Sequence, residues 1–382
     1  IQVGIGFVFI IVLLGTFILP EWMSNNFMYG LSRGLAVLGL MILWRTNLVS
    51  FGHALYYGFG AYSVAMAQKY LGVTDVFLRI IIAIVAAGLL GFILGFILRR
   101  YREIFFAMLS LAFSMVLYGL LAKAEFLGST DGMSISPSTI FGIELGRFGL
   151  FYFIGFIVIL SLIFAHAYLR SSLGHLTTAI MDNEIRVEYL GYSVEKAIHI
   201  KYVISACFAG GAGGLMAAAL GQVDPDSMVL WSVSGELVFV TIMAGLGNIL
   251  APFVGAIFFE FIRTYAYEFA PQAWQMIIGG TLLAIIFFLP GGLWSLFQKI
   301  NPFKNTLPSI VSAKLAERYK ELFELFVKHR DKITRVSFWG TTDDESWKND
   351  WPVVGRTNYP LLFDRSRSPK DAYFAVRNLK SQ

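Results

Sequence analysis

The sequence predicts an all-α, polytopic membrane protein with about eight to ten transmembrane helices and a cytoplasmic C-terminal extension. Of its 382 residues, 57% are hydrophobic and only 14% are charged, and the mean hydropathy of +0.66 exceeds that of a soluble domain. Runs of about 20 residues without a charge recur along the chain, and one such run as a helix crosses roughly 30 Å of hydrocarbon. These two observations place the chain in a lipid bilayer.

Ten hydrophobic runs, bounded by charged residues, Pro or Gly, are the expected membrane segments. Their approximate ranges are 2–19, 28–44, 50–68, 76–98, 104–122, 149–169, 198–220, 234–247, 250–268 and 272–289. The first run lacks the basic flank and the small-residue cleavage site of a signal peptide, so we expect it to be the first membrane helix. The run 234–247 is short for a full span, so a tilted or re-entrant segment is the alternative for it.

Charges in the loops between these runs predict the orientation of the protein. Lys and Arg cluster in the loops 99–102, 170–196 and 299–304, which therefore face the cytoplasm. Acidic residues dominate the loops 125–144 and 224–226, which suits the opposite side. Three segments between the last acidic loop and the last basic loop make the alternation consistent, and both termini then lie in the cytoplasm.

The hydrophobic character ends near Gly292, which predicts a membrane domain over 1–296 and a cytoplasmic extension over 297–382. Within the extension, Lys314–Lys332 has apolar residues at helical spacing on one face, which predicts an amphipathic helix. The polar segment Trp339–Gln382 is expected to have little regular structure.

Charge and cysteine content exclude other classes of site. About half of the 30 Lys and Arg residues lie beyond Gly292, but Asp and Glu are interspersed among them, and a position beside a membrane explains the basic excess. We therefore expect no nucleic acid as a partner. The single cysteine, Cys207, excludes an internal disulfide and a Cys-rich metal site.

The loop 170–196 carries a regular pattern although it lies between membrane segments. Ser171 or Ser172 caps a first helix, and Gly191 ends a second short helix at Leu190. Apolar residues recur on one face of the first helix, at Leu173, Leu176 and Ile180. Two short amphipathic helices suit docking into a groove of a partner protein, and contact with the membrane surface is the alternative.

The segment Ser50–Ala65 combines three glycines with polar and aromatic side chains in a predicted membrane helix. Glycines at this density permit a break in the helix or a close approach to a neighbour. We hypothesise that the segment lines a translocation pathway, where its polar groups form transient hydrogen bonds with a passing solute. The residues concerned are Ser50, His53, Tyr56 and Tyr57. Tight helix packing with hydrogen-bonded tyrosines is the alternative.

Two later segments contain residues that are unusual in a bilayer. Glu236 is an ionisable group in an apolar run, which makes it a pathway candidate, with a partly solvated anchor at the outer mouth as the alternative. Glu260 and Arg263 lie three residues apart and are expected to form a local ion pair. The glycines between Gly210 and Gly214 predict a close helix crossing.

Motifs for covalent chemistry point away from an enzyme. The sequence lacks the GxxxxGK[ST] phosphate-binding loop and the HExxH metal pattern. We therefore expect no enzymatic activity, no metal and no cofactor in this chain, and any ATP that drives it is hydrolysed by another chain.

Six segments follow one another in a recognisable order. They are SFGHALYYGFGAYSVA (Ser50–Ala65), FFAMLSLAF (Phe105–Phe113), STDGM (Ser129–Met133), SSLGHLTTAIMDNEIRVEYLGY (Ser171–Tyr192), SGELVFVTIMAGLGNILAPFVGA (Ser234–Ala256) and FFLPGGL (Phe287–Leu293). In this order they resemble the LivM-type permease of branched-chain amino-acid ABC importers, and related urea and short-amide permeases share most of the pattern. The resemblance spans about residues 28–296, and its specificity lies in the combination.

This resemblance implies an importer in the bacterial cytoplasmic membrane. Its other parts would be a second permease subunit of the LivH type, two cytoplasmic ATPase subunits and an extracytoplasmic solute-binding protein. It also implies that the loop 170–196 contacts an ATPase, through Leu173, Leu176, Ile180, Asp182, Asn183, Glu184, Arg186, Leu190 and Gly191. His175 stands where the family pattern has Arg, which weakens one charge contact, and the extension beyond Asn301 lies outside the resemblance.

The sequence leaves other functions open. The implied solutes are branched-chain amino acids or similar small polar molecules, with urea or short amides as the alternative within the same class. A secondary transporter driven by an ion gradient is the alternative from another class, although no internal repeat supports it. A membrane-anchored scaffold, in which the extension is the working part, is the third.

Overall fold

The computed structural model describes residues 20–289, 291–296, 309–329, 331–333, 336, 361–364 and 367–379. The chain forms two compact units, Ile1–Leu296 and Phe297–Gln382.

The first unit is almost entirely helical. Its helices are α1 (Glu21–Trp44), α2 (His53–Leu71), α3 (Val76–Leu98), α4 (Glu103–Lys123), α5 (Arg147–Arg170), α6 (Ser172–Asp182), α7 (Glu184–Tyr189), α8 (Val194–Leu220), α9 (Pro225–Met228), α10 (Trp231–Ala244), α11 (Ala251–Phe269) and α12 (Trp274–Phe288). Four two-residue strands accompany them: β1 (Met133–Ser134), β2 (Thr139–Ile140), β3 (Ile143–Glu144) and β4 (Gln222–Val223).

Nine of the ten predicted membrane segments coincide with one helix each, to within a few residues. The first, 2–19, lies outside the described residues. In the described part of the chain, six helices are long and apolar enough to cross a bilayer. One of these spans is Pro225–Ala244, which consists of the short helix α9 followed by α10. The predicted segment 234–247 was too short to cross the bilayer, and α9 supplies the missing length. The predicted all-α, polytopic membrane fold is confirmed.

Local signals set where several helices begin and end. The Asp75 side chain accepts hydrogen bonds from the backbone N–H groups of Phe77 and Leu78, at 2.9 and 3.3 Å, and so caps α3. Gly72 ends α2 with φ +64°, and Gly221 ends α8 with φ +72°. This left-handed conformation suits glycine, which has no Cβ to clash with the backbone.

Helix α8 lies at the centre of the bundle and packs along α1, α2 and α3. Its glycines bring backbones into direct contact: a Cβ on Gly213 would overlap the carbonyl oxygen of Tyr57 in α2. A Cβ on Gly210 would overlap the side chain of Ala87 in α3. The close crossing predicted from these glycines is therefore confirmed, and its physical cause is the absence of side-chain bulk on both faces of α8.

The loops at one end of the bundle are tied together by short strands and one arginine. β1 pairs antiparallel with β4, which joins the loop after α4 to the loop after α8. Arg79 is fully buried, and its guanidinium donates to the Val73 and Ser136 carbonyls at 3.0 and 3.1 Å. It also donates to Gln68 Oε1 at 3.1 Å. Because its N–H groups have partners, this buried cation is a structural clamp.

Fewer than half of the residues of α3, α4 and α5 are buried inside the bundle, whereas most of α1 is buried. The exposed side chains on the outer helices are large and apolar, as at Leu89, Ile93, Phe105 and Leu120. In a multi-pass membrane protein such a surface contacts lipid or another membrane subunit, so α1 and α8 form the interior of the bundle.

The second unit contains α13 (Ser309–Lys328), which packs against α14 (Asp371–Arg377). The predicted amphipathic helix Lys314–Lys332 is thus present, and it begins and ends about four residues earlier. Within Trp339–Gln382, however, the expectation of little regular structure is wrong for residues 371–377. Aromatic contacts stabilise this part, including Phe363 and Tyr373 with ring centres 5.0 Å apart.

Candidate functional site

A cavity of about 360 Å³ lies between α1, α8 and α11, beside the loop that follows α8. We refer to it as the charged cavity. Its lining includes Arg33, Tyr57, Met216, Leu220, Glu260 and Arg263. The lining thus combines charged, polar and apolar side chains.

Four charged side chains from three helices meet beside this cavity, three of them in its lining, and we call them the charged cluster. Arg33 of α1 donates from Nη1 to Glu236 Oε2 of α10 at 2.5 Å. Its Nε lies 2.8 Å from Glu260 Oε1 of α11. Arg263 of α11 is farther away, with Nη1 3.6 Å from Glu236 Oε2. The cluster holds two cations and two carboxylates, so it is neutral overall.

The predicted local ion pair between Glu260 and Arg263 is not what the structure shows. Glu260 pairs instead with Arg33, and Arg263 lies nearest to Glu236. The spacing of three residues places Glu260 and Arg263 on neighbouring positions of one helix, but a buried guanidinium from α1 is the closer partner. The sequence gives no direct signal for this contact, because Arg33 is separated from both acids by about two hundred residues.

The cluster is deeply placed. Arg33 follows Glu21 by twelve positions in the 24-residue helix α1, which corresponds to about 18 Å along a helix of roughly 36 Å. The side chains of Arg33 and Glu260 are 8% and 6% exposed. Charges at this depth in a bilayer are costly unless paired, and such groups are candidates for a functional site.

The rest of the cavity wall is polar on the α1 and α11 side and apolar on the α8 side. The Thr264 hydroxyl donates to Asn26 Oδ1 at 3.1 Å. The amide nitrogen of Asn26 is buried and has no hydrogen-bond partner among the described residues. From α8, Met216 and Leu220 contribute apolar surface. The cavity therefore offers both charge and an apolar contact to a small molecule.

The structure separates the predicted pathway residues into two groups. Tyr57 lines the charged cavity, and Glu236 belongs to the charged cluster. Ser50, His53 and Tyr56 are fully or almost fully buried and are not among the residues that line this cavity.

Each of these three side chains has a partner inside the bundle. His53 Nε2 lies 2.9 Å from Ser205 Oγ, and the Ser205 hydroxyl donates to the Gly39 carbonyl at 2.7 Å. Because a hydroxyl has one hydrogen to donate, we assign His53 Nε2–H as the donor to Ser205. Tyr56 donates to the Tyr202 hydroxyl at 2.7 Å. Ser50 accepts from a nearby backbone N–H at 3.3 Å. These contacts favour the packing alternative for all three residues.

The loop 170–196 folds as the two predicted helices, α6 and α7. Ser171 Oγ accepts from the Gly174 backbone N–H at 3.2 Å, which confirms the predicted cap. Gly191 has φ +87° just after α7, which confirms the predicted end of the second helix. Asn183 Oδ1 accepts from the Arg186 N–H at 2.9 Å and starts α7.

Ion pairs attach this loop to the region between α3 and α4. Arg102 Nε lies 2.8 and 3.0 Å from the two carboxylate oxygens of Glu184. Arg99 Nε lies 3.5 Å from Glu195 Oε2 at the start of α8. Beneath these pairs, the buried side chains of Ile180 and Val187 belong to one apolar cluster with residues of α3 and α8. The loop is therefore held to the bundle by both charge and packing.

The predicted coupling residues are distributed over both sides of the loop. Ile180 is buried, Leu176 is half-buried, and Leu173 and Leu190 are exposed. The side chain of Asp182 lies outside what the structure describes. The sequence analysis missed four exposed apolar residues on the outer face: Met181, Ile185, Tyr189 and Tyr192. Ile185 and Tyr189 lie four residues apart on α7, and this spacing was the signal that could have found these two.

Two patterns were compared with the geometry of the described residues: clusters of metal ligands and the GxSxG motif of a nucleophile elbow. In the ranges that the structure describes, no group of three or more His, Cys, Asp or Glu residues could hold a metal ion. The sequence contains one GxSxG match, Gly30–Gly34, but it lies inside α1 with no strand before it. A nucleophile elbow needs a sharp strand-to-helix turn, so this match is a helical coincidence.

The second unit resembles a different class of protein from the first. A family model described as Glycosyl hydrolase family 10 matches residues 301–379. The endo-1,4-beta-xylanase of Geobacillus stearothermophilus is 50% identical over 64 residues, which are 17% of this chain and 19% of that enzyme. The extension thus spans about a fifth of the xylanase that it matches.

The first unit matches a membrane transport family. The high-affinity branched-chain amino acid transport system permease protein LivM of Escherichia coli (strain K12) is 29% identical over 298 residues, covering 70% of this chain and 69% of LivM. LivM of Salmonella typhimurium is 28% identical over 286 residues, 67% of each chain. No solved structure matches. A model of the branched-chain amino acid transport system / permease component family matches residues 23–287, so this multi-pass membrane protein belongs to that permease family.

Proposed function

We propose that this permease works in an ATP-driven importer for small aliphatic amino acids, together with a second permease subunit, two ATPase subunits and a solute-binding protein. The observation that carries the proposal is the outer face of the loop 170–196. Exposed apolar side chains lie there on α6 and α7, and ion pairs and buried apolar contacts attach these two helices to the bundle. A firmly supported apolar surface on a loop suits docking of a partner that moves it.

The proposed coupling runs from this face to the membrane helices. An ATPase bound to Tyr189 and Leu190 would displace α7. The pair between Arg102 and Glu184 would carry that displacement to the start of α4. Packing of Ile180 would carry it to α8 at the centre of the bundle. ATP binding and hydrolysis in the partner would thus switch the permease between outward- and inward-open states.

Substitution of the outer face tests this coupling. Tyr189 and Leu190 are 87% and 72% exposed, so changing both to Ser leaves the core of the permease intact. Each buried apolar side chain contributes about 1.5–3 kcal/mol to an interface, so the ATPase affinity falls roughly a hundredfold or more. Co-purification of the ATPase with the tagged permease measures it.

A matched control is available at another loop. Phe141 is 92% exposed in the loop after α4, and Phe141→Ser should leave ATPase binding unchanged. Unchanged ATPase retention by the Tyr189→Ser, Leu190→Ser variant would refute the docking assignment.

The proposed orientation places the loop 170–196 and both termini in the cytoplasm of a bacterium, and the loop 125–144 outside. Loop charges support it, since Lys and Arg favour the cytoplasmic side. The extension 297–382 would then be cytoplasmic. Accessibility tags inserted after Asp131 and after Asp182 should report opposite sides of the membrane, and labelling of both from one side would contradict the arrangement.

A secondary transporter remains the second candidate, because the charged cluster is of the kind that ion-driven transporters use. Uptake into vesicles separates the two. Uptake that requires ATP on the side of the membrane where the loop 170–196 lies supports the importer. Uptake that needs no ATP and is abolished by an ionophore supports the ion-driven alternative.

A further inference from the structure

We propose that the charged cavity is a binding site inside the membrane domain for the zwitterionic backbone of an aliphatic α-amino acid. This inference rests on the proposed import function and adds to it a place where the solute pauses during transfer. The carboxylate of the solute binds Arg263, its ammonium group binds Glu260, and its side chain contacts Met216 and Leu220.

Arg263 has the free capacity that a solute carboxylate needs. Its closest acidic oxygen, on Glu236, is 3.6 Å away, which is too far for a hydrogen bond. Its side chain is 30% exposed and lines the cavity. Two aromatic rings support the guanidinium from the side, with centres 5.9 Å (Tyr267) and 6.0 Å (Trp274) from its central carbon. Arg33 differs, because it is more deeply buried and is shared between two carboxylates.

Glu260 supplies the opposite charge on the same helix. One of its oxygens faces Arg33, and a carboxylate has further lone pairs for an ammonium group. Glu260 and Arg263 both line the cavity, one turn apart on α11. An α-amino acid carries its two charges on adjacent groups, so this spacing suits it.

The amide of Asn26 is an independent sign of a polar occupant. Asn26 is 6% exposed, lines the cavity, and its Nδ2 has no hydrogen-bond partner within the described helices. Buried donors are normally paired, so an unpaired one in a cavity wall indicates that the partner comes from outside the chain. A carboxylate bound to Arg263 would provide that acceptor.

The apolar lining residues and the volume define the class of solute. Met216 and Leu220 of α8 contribute apolar surface to the cavity. The volume of about 360 Å³ falls at the lower end of the range for small-molecule sites. Urea and short amides have no ionic groups to pair with Arg263 and Glu260, so the site favours an apolar amino acid over them. A neutral cluster also keeps binding moderate, which permits release.

Transport by the reconstituted importer tests the site. We would measure leucine uptake and ATP hydrolysis together, in liposomes that contain the complete complex and the binding protein. With Arg263→Gln, leucine moved per ATP hydrolysed should fall about tenfold, as expected for one lost charge-assisted hydrogen bond. The control is Arg147→Gln, since Arg147 forms an exposed pair with Glu21 and does not line the cavity. An unchanged ratio in Arg263→Gln would overturn the proposal.

A double variant separates solute binding from charge balance. Arg263→Gln combined with Glu236→Gln restores a neutral cluster without restoring the proposed carboxylate ligand. We expect uptake per ATP to stay low in this variant. Recovery to the wild-type ratio would show that Arg263 serves only to balance charge, and would overturn the proposal.

Chemical protection tests the site without using transport. Thr264→Cys in a Cys207→Ser background places one thiol in the cavity wall. A membrane-impermeant thiol reagent should modify it, and excess leucine should slow the modification at least threefold while urea does not. Absence of protection by leucine, or equal protection by urea, would overturn the inference. Wild-type complexes that import leucine without using ATP would refute the proposed function and leave this protection result intact.

Discussion

Replacement of Arg33 with methionine tests whether the charged cluster stabilises the folded permease. The change leaves two carboxylates, on Glu236 and Glu260, without their shared cation, and their side chains are only 15% and 6% exposed. Removing one partner of a buried ion pair costs about 3–5 kcal/mol. With roughly 2 °C per kcal/mol for a unit of this size, the midpoint of thermal unfolding should fall by about 6 °C or more. Melting of the purified complex in detergent, at one fixed heating rate, measures it.

Two further sets of substitutions isolate the effect of the buried charges. Arg147→Met breaks an exposed pair with Glu21, which contributes at most about 1 kcal/mol, so its midpoint should stay within about 2 °C of wild type. Changing Glu236 and Glu260 to Gln in the Arg33→Met background removes the stranded charges and should recover most of the loss. A midpoint for Arg33→Met that matches the exposed-pair control would refute the burial argument, because the carboxylates must then reach water.

Three further predictions concern other parts of the chain. Gly213→Leu forces a side chain into the backbone of α2, so the permease should fail to accumulate in the membrane, whereas Gly279→Ala, where a Cβ meets open space, should accumulate normally on immunoblots. His53→Ala removes a buried hydrogen bond to Ser205, so stability should fall by about 1–3 kcal/mol in the same melting assay. Uptake per assembled complex should stay within twofold of wild type. A large loss of uptake at normal stability would instead assign His53 to the translocation pathway. A chain that stops before Asn301 should import leucine at the wild-type rate, and loss of uptake with normal assembly would show that the extension takes part in transport.

The membrane segments were predictable because hydrophobicity and boundary charges are properties of the local sequence. The run 76–98 matches α3 at both ends, with Asp75 as cap and Arg99 as the first charge after it. The caps and the terminating glycine of the loop 170–196 were predictable for the same reason. In each case the deciding contacts lie within about four residues along the chain.

The cavity was not predictable from the sequence. Two ion pairs beside it join Arg33 of α1 to Glu236 of α10 and to Glu260 of α11. Only the packing of these three helices brings the side chains together. The three-residue spacing predicted Arg263 as the partner of Glu260, because the spacing of residues in the sequence indicates contacts within one helix and not contacts between helices. A buried arginine in α1 was itself a signal, since a charge within an apolar helix calls for a partner.

The helix α14 was missed because the expectation for Trp339–Gln382 rested on polar composition. Residues 371–377 nevertheless form a helix, and the rings of Phe363 and Tyr373 have their centres 5.0 Å apart. Aromatic contacts of this kind depend on tertiary packing, which composition alone does not show. Residues 339–360 lie outside the described part of the chain.

The direct contact between α2 and α8 limits how the bundle can change shape. Side chains between two packed helices can change rotamer and so permit small sliding motions, but where Gly213 meets the backbone of Tyr57 there are no side chains to adjust. We therefore expect α2 and α8 to travel as one rigid body when the permease switches states. A displacement that reaches α8 from the loop 170–196 would then carry α2 with it, and a route for solute would open or close where this pair moves against the other helices.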